Sequence, residues 1–251
     1  MEITMAQDFI LPSKGLVYSP AIDPHVTLRS MTTAEEMKRL SYTDTPYKTM
    51  AGIIDDCLIT KLPISSYDLC SGDYEFLLHR LRMVTYGPEY KLSAVCPYCG
   101  TKSDYSIDLQ SLDVHMYDED LQIEKDLTFS LPVSKKVVSI KMQTPRMLDE
   151  VAVRNKEMKR KFPEMKGDAS LLILLETIVD KIDGQVLDEA QKEIFLKSLP
   201  MRDTNYIIKK AEKANAKIGI DPVVEDTCVA CGQQFGFSFR FTSEFFGPTI
   251  D

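Results

Sequence analysis

Cys96-Pro97-Tyr98-Cys99-Gly100 and Cys228-Val229-Ala230-Cys231-Gly232 form two cysteine knuckles about half the chain length apart, and each leads into a stretch of alternating apolar residues. Inside each knuckle the two-residue gap lets both thiolates point at one centre. The glycine after the second cysteine permits the tight turn that aims backbone amides at sulfur. Four thiolates complete a tetrahedral shell around one zinc ion and leave no position for water or substrate. The pattern therefore predicts a structural zinc held by Cys96, Cys99, Cys228 and Cys231, with no catalytic metal.

Working outward from the knuckles, the same order of elements precedes each: strand, threonine-started helix, second helix, third helix, knuckle, strand. Val26-Thr27-Leu28-Arg29 alternates as a strand, Thr32 or Thr33 starts a helix, and Thr33 with Glu36 has capping-box spacing. Val138-Ser139-Ile140-Lys141 repeats the strand, with Thr144 as cap and Pro145 at the first helical position. Met50 to Ile59 and Leu171 to Ile182 read as core helices with matched runs Ile53-Ile54-Asp55 and Ile178-Val179-Asp180. Third helices follow, capped by Asp73 and Asp203. After the knuckles, Tyr105, Ile107 and Leu109, then Phe235, Phe237, Phe239 and Phe241, alternate with period two. The second copy is longer by about 20 residues, placed in 155–167 and 185–197.

The expected fold class is α+β: two related helical lobes with short strands, an internal duplication joined by a shared four-cysteine, zinc-ribbon-like site. The expected division is an extended amino-terminal arm (1–24), a first lobe (25–115) and a second lobe (116–251). Phe9 to Tyr18, apolar and broken by Pro and Gly, is expected to be extended and to pack on its own lobe, the alternative being that it docks on a neighbouring subunit.

With 38 acidic against 30 basic side chains, the net charge of -8 disfavours a general nucleic-acid binder. Six cysteines are too sparse for a disulfide scaffold, and Met1-Glu2-Ile3-Thr4 lacks the features of a signal peptide, which fits a reducing cytosol. The longest apolar run, Leu171 to Leu175, falls far short of the roughly 20 residues needed to cross a bilayer, so the chain reads as soluble.

Cys96-Pro97-Tyr98-Cys99 has the residue order of a glutaredoxin active site. A redox pair, however, sits where a strand enters a helix whose amino end lowers the first thiol's pKa. Here Gly100-Thr101-Lys102-Ser103-Asp104 is turn-like and strand alternation follows, and a second knuckle would go unexplained. A zinc-ribbon module for nucleic acid is the other alternative. Cys57 and Cys70 read as buried apolar residues, and His25, His79 and His115 stand apart from one another. There is no nucleophile elbow, P-loop, dinucleotide fingerprint or His-Glu-x-x-His, so no catalytic residue is assigned. Asp55-Asp56 and Asp118-Glu119-Asp120 read as solvated faces. Arg154, Lys156, Lys159, Arg160 and Lys161 form a basic helical stretch suited to an acidic protein patch.

The assembled pattern resembles the base plate family of T4-like contractile-tail bacteriophages, the group containing the baseplate hub subunit and the hub assembly catalyst. The likeness is carried by Leu11-Pro12-Ser13-Lys14-Gly15 with Tyr18, by Val26-Thr27-Leu28-Arg29 followed by Thr33-Ala34-Glu35-Glu36, by Leu81-Arg82 to Tyr86-Gly87, and by Cys96-Pro97-Tyr98-Cys99-Gly100. It is strongest over roughly the first 110 residues. The resemblance implies a non-enzymatic protein of hub assembly, structural or chaperone-like, whose partners are tail hub, tape-measure or baseplate proteins. It implies a place in the host cytoplasm during assembly or in the tail baseplate; with the charge and the short apolar runs, no nucleic-acid, membrane or small-molecule partner is expected.

Overall fold

A computed structural model describes residues 5–118, 123–164, 167–238 and 243–246. It is a mixed helix and strand chain, with two main apolar cores and a third, small one beneath the cysteines.

The first core forms on a two-stranded sheet. Strand β1 (Ala6–Ile10) runs antiparallel to β2 (His25–Arg29) and sets Phe9 opposite Val26. The alternation of β2 turns Val26 and Leu28 inward, onto α2 (Pro46–Cys57) and α3 (Ser71–Tyr86). Between the strands and α2 lies the short α1 (Thr33–Arg39). In the second core the short α4 (Ile123–Asp126) leads to β6 (Thr128–Ser130), which pairs with β7 (Val137–Ile140) and sets Phe129 opposite Val138. Val138 and Ile140 turn inward against α6 (Ser170–Ile178) and α8 (Met201–Asn215). The long α5 (Pro145–Lys161) follows β7, and α7 (Glu189–Ser198) lies between α6 and α8.

Local signals placed the helix starts, with corrections. Thr144 caps α5 through the Met147 N–H, and Pro145 opens that helix. The cap of α1 is Thr32 rather than Thr33, and its capping box closes with Glu35. Glu36 instead meets Arg39. Thr32 wins because its backbone is extended while Thr33 is already helical. Val179-Asp180 is not helical: α6 ends at Ile178 and Val179–Ile182 forms β8, paired with β7, because the chain must return to cover that sheet edge. The amino-terminal stretch is extended only as far as Ile10; from Pro12 it turns, and it packs on its own lobe with Leu11 and Ser13 buried. Phe239 and Phe241 lie outside the described residues.

Asp73 and Asp203 cap nothing. Each is the third residue of its helix, fully buried, and each reaches back to an earlier turn. Asp73 accepts from the Ser13 N–H and hydroxyl and from the Tyr18 hydroxyl. Asp203 accepts from the N–H groups of Val133 and Ser134. The two turns begin Leu11-Pro12 and Leu131-Pro132, and in each a lysine, Lys14 or Lys135, takes positive φ. Buried carboxylates are tolerated here because backbone and hydroxyl donors fill their lone pairs.

The halves are joined along a seam. Strands β5 (Val114–His115) and β9 (Gly219–Ile220) pair across it, and the start of α3 lies on β9. Asp149 of α5, only 2% exposed, accepts from the N–H groups of Tyr47 and Lys48 at the start of α2 and from the Tyr67 hydroxyl. It caps α2 from the other half, a site where Thr45 makes no side-chain cap. Replacing Asp149 with alanine takes the acceptor from the hydroxyl of buried Tyr67 and from two N–H groups at a helix start, and is expected to cost about 1–3 kcal/mol in denaturant unfolding; a change under about 0.5 kcal/mol would show that water replaces the carboxylate.

At the far end of α3, Arg82 is fully buried, and it donates to the carbonyls of Phe245, Gly87 and Glu89. A cation at a helix carboxyl end is favoured by the dipole. This one also pins Ser243–Phe246, whose Phe245 and Phe246 return to the first core. Beside it, His79 meets the Phe245 ring at 5.2 Å, and burial pushes its pKa down to about 3. The unfolded chain thus takes up this proton near pH 6.5 while the folded chain refuses it until about pH 3. Stability is whole above pH 6.5 and is expected to fall through that window by up to about 1.4 kcal/mol per unit. A His79→Leu variant should flatten that slope in urea unfolding at a series of pH values; an unchanged slope would refute the assignment.

Candidate metal centre

Each knuckle is the tip of a β-hairpin. In one, β3 (Glu89–Val95) pairs with β4 (Lys102–Asp108) up to Val95 opposite Lys102. In the other, β10 (Val223–Thr227) pairs with β11 (Gln234–Ser238) up to Thr227 opposite Gln234. The two tips close with the same bonds. Cys96 N–H donates to Thr101 O and Gly100 N–H to Cys96 O; Cys228 N–H donates to Gln233 O and Gly232 N–H to Cys228 O. Gly100 and Gly232 have φ of 72° and 70°, the left-handed turn that a side chain would strain.

The hairpins bring all four sulfurs together. Cys96 Sγ lies 3.8 Å from Cys231 Sγ, Cys99 Sγ lies 3.7 Å from Cys228 Sγ, and all four fall within 4.8 Å of one another. These are not disulfides, whose sulfurs sit about 2.05 Å apart. A tetrahedron with Zn–S bonds of about 2.3 Å has edges of about 3.8 Å, so the cage has the size zinc requires. Cys96 and Cys228 are buried at 1% exposure, and Cys99 and Cys231 are on the surface. Below them Tyr105, Phe235 and Phe237 stack edge-on and tilted, with ring centroids 5.1–5.9 Å apart, so the hairpins also share an apolar floor.

The knuckle donors favour thiolates. The Thr101 hydroxyl and then its backbone N–H hold Cys99 down to about 6, and the backbone N–H groups of Cys231 and Ala230 lower Cys228. At Cys231 the backbone hydrogen bond from Gln233 is outweighed by partial desolvation and the hydrogen bonds of the neighbouring sulfurs, which push it up to about 12. Four thiols this close cannot all ionise alone, whereas a divalent cation lets them.

The other candidates fall away from this centre. Cys57 and Cys70 are core residues whose burial raises their thiols to about 11 and 12. His25 pairs with Asp23 on the surface, His79 is in the core, and His115 meets the Ala216 carbonyl. Neither knuckle leads into a helix, so the dithiol oxidoreductase reading lacks the dipole it needs. Asp55 is not merely solvated: it accepts from Ser65 Oγ and Ser66 N at the 3₁₀ turn Ser66–Asp68. Asp56 pairs with Lys38. Glu119 and Asp120 lie outside the described residues. The basic stretch of α5 is largely met within the chain, since Arg154 pairs with Glu150 and Glu176, Lys156 with Asp44, and Lys159 with Asp168. That absorbs charge which spacing alone offered to an acidic partner.

Among the described residues no helix is long and apolar enough to cross a membrane. No curated protein and no solved structure matches the chain. The family model described as T4 bacteriophage base plate protein matches residues 8–247, taking in both knuckles and the second half whose likeness is least legible by eye. With nearly its whole length matched, the chain belongs to the T4 bacteriophage base plate protein family.

Proposed function

We propose that the chain serves assembly of the base plate hub as a structural or chaperone-like protein, working by binding other tail proteins and not by catalysis. One zinc ion, held by Cys96, Cys99, Cys228 and Cys231, clasps its two hairpins. The observation that carries the reading is the convergence of four sulfurs at a size fit for zinc, within a chain of the base plate family. A shell of four thiolates is closed, so its contribution is rigidity, and a rigid body acts by presenting surfaces.

An internal duplication underlies this body, with an arm (1–24) and lobes at 25–115 and 116–251. Three pairs of matched details support it, the first two drawing part of the arm into the first copy: Phe9 opposite Val26 against Phe129 opposite Val138, the carboxylates of Asp73 and Asp203 reaching back to Leu-Pro turns, and the two knuckles. The added length of the second copy fits α5, with 17 residues against 7 in α1, and the extra helix α7.

The partners are other base plate, tail hub or tape-measure proteins, met in the host cytoplasm during assembly or in the tail baseplate. Co-expression with each of these, followed by size-exclusion chromatography, tests the proposal. A complex of fixed stoichiometry is expected with at least one, and elution of the chain alone from every mixture would overturn the reading.

A further inference from the structure

Strand β1 has a bare edge. The bonds Leu11 N–H to Pro24 O and Ser30 N–H to Met5 O fix the ladder so that residues 5, 7, 9 and 11 face β2, which turns the backbone N–H and C=O groups of Asp8 and Ile10 outward. Among the described residues no other strand pairs with that edge. It borders a groove of about 730 Å³ lined by Ile10, Phe76, Arg80, Val114 and Met116.

Arg80 is the unusual residue in it. Its guanidinium lies 4.7 Å from the Phe76 ring centroid and 5.6 Å from that of Phe9, and one Nη donates to the Met83 sulfur. Nε is enclosed without a hydrogen-bond partner, and no described carboxylate forms an ion pair with this side chain. Burial pushes its pKa down with nothing opposing. Thioether sulfur is a weak acceptor, so a half-buried cation here lacks the anion that arginine forks match best.

We propose that this groove docks an extended segment of another base plate protein, which adds a strand to β1 and places an Asp or Glu side chain against Arg80. Strand addition supplies affinity through main-chain bonds, and the charge with its apolar surroundings supplies choice of partner. A second copy of the chain fits poorly, because antiparallel pairing of two β1 edges brings their Asp8 carboxylates close together. The groove's own carboxylates are engaged, Asp8 by the Thr27 hydroxyl and Asp23 by the His25 N–H and ring, which leaves Arg80 for the partner.

The inference rests on the hub-assembly reading, and its test keeps the two apart. The full chain is mixed with labelled short peptides tiled across the hub, tape-measure and base plate proteins of the same phage, and binding is read by fluorescence anisotropy. Binders are expected to carry an internal Asp or Glu flanked by apolar residues, and its change to the amide is expected to weaken them about tenfold. Arg80→Gln should do the same. Met116→Glu, at a partly exposed position, should weaken them through charge, and Met116→Lys, a substitution of similar size at the same place, should not. The inference is overturned if no peptide binds, if binders ignore Arg80→Gln and Met116→Glu, if only amidation of a peptide's carboxyl terminus matters, or if the groove variants instead break a dimer of the chain. Co-elution with hub proteins that survives Arg80→Gln would sink the groove and spare the hub reading; no co-elution of the unaltered chain would sink the hub reading itself.

Discussion

Purified without chelator, the protein is expected to carry one zinc per chain, and Cys96→Ser to abolish it and lower stability by about 3–5 kcal/mol. The size follows from the loop. Cys99 and Cys228 are separated by about half the chain, and closing so long a loop removes on the order of 4–5 kcal/mol of unfolded-state entropy, before any strain is charged against it. Serine also leaves an enclosed oxygen at the 1%-exposed position of Cys96, over the aromatic floor of Tyr105 and Phe235. Collapse of the whole chain is not expected, because β5–β9 pairing, the Asp149 cap and the Arg82 clasp join the halves elsewhere. Metal analysis with urea unfolding decides it. Absence of zinc from protein kept reduced throughout, together with an unchanged midpoint for Cys96→Ser, would remove the clasp from the account.

The second large effect is at Gly72. A Cβ there would stand 2.3 Å from the Ile218 carbonyl oxygen and 2.7 Å from its carbon, and one on Gly219 would stand 2.8 Å from Gly72 Cα. Both sides of the contact are backbone, held by α3 and by the β5–β9 ladder, so neither yields by a change of rotamer. Gly72→Ala is expected to pry the seam apart and cost more than about 3 kcal/mol. Gly52→Ala makes the matching control. That glycine lies exposed within α2 with nothing inside 4 Å of its Cβ position, and alanine should stabilise by up to about 1 kcal/mol through helix propensity. Thermal unfolding of the two variants should therefore move in opposite directions; equal and small shifts would show that the seam is loose.

Much of the centre was legible because its chemistry is local. A Cys-x-x-Cys-Gly knuckle is half of a tetrahedron, and two halves in one chain state that they meet, whatever lies between. Helix starts and strand alternation were similarly readable from spacing at Thr144-Pro145, Val26-Leu28 and Tyr105-Ile107. The errors fell where a local rule competed with a distant partner. Asp73 and Asp203 stand near helix starts, where capping is the common role, yet each serves a turn 60 or more residues away. The Ile178-Val179-Asp180 run looked helical by its apolar spacing until β7 claimed Val179 as a strand. Arg80 gave no signal at all, since an arginine on a helix is ordinary until the structure shows its Nε enclosed without a hydrogen-bond partner.

Spacing and residue chemistry alone were enough to say which four cysteines converge, where most helices begin, which strand faces are apolar, and which family the short motifs resemble. Those properties depend on spacings of two to four residues and on the bonding habits of thiolates. Long-range packing had to show that Asp149 caps α2 from the opposite half, that Phe245 returns to the first core under Arg82, that Gly72 and Gly219 touch, and that no described strand covers the edge of β1 beside Arg80. The physical reason is range: a buried polar group must find an acceptor or donor, but which one it finds depends on the segment that packing brings alongside.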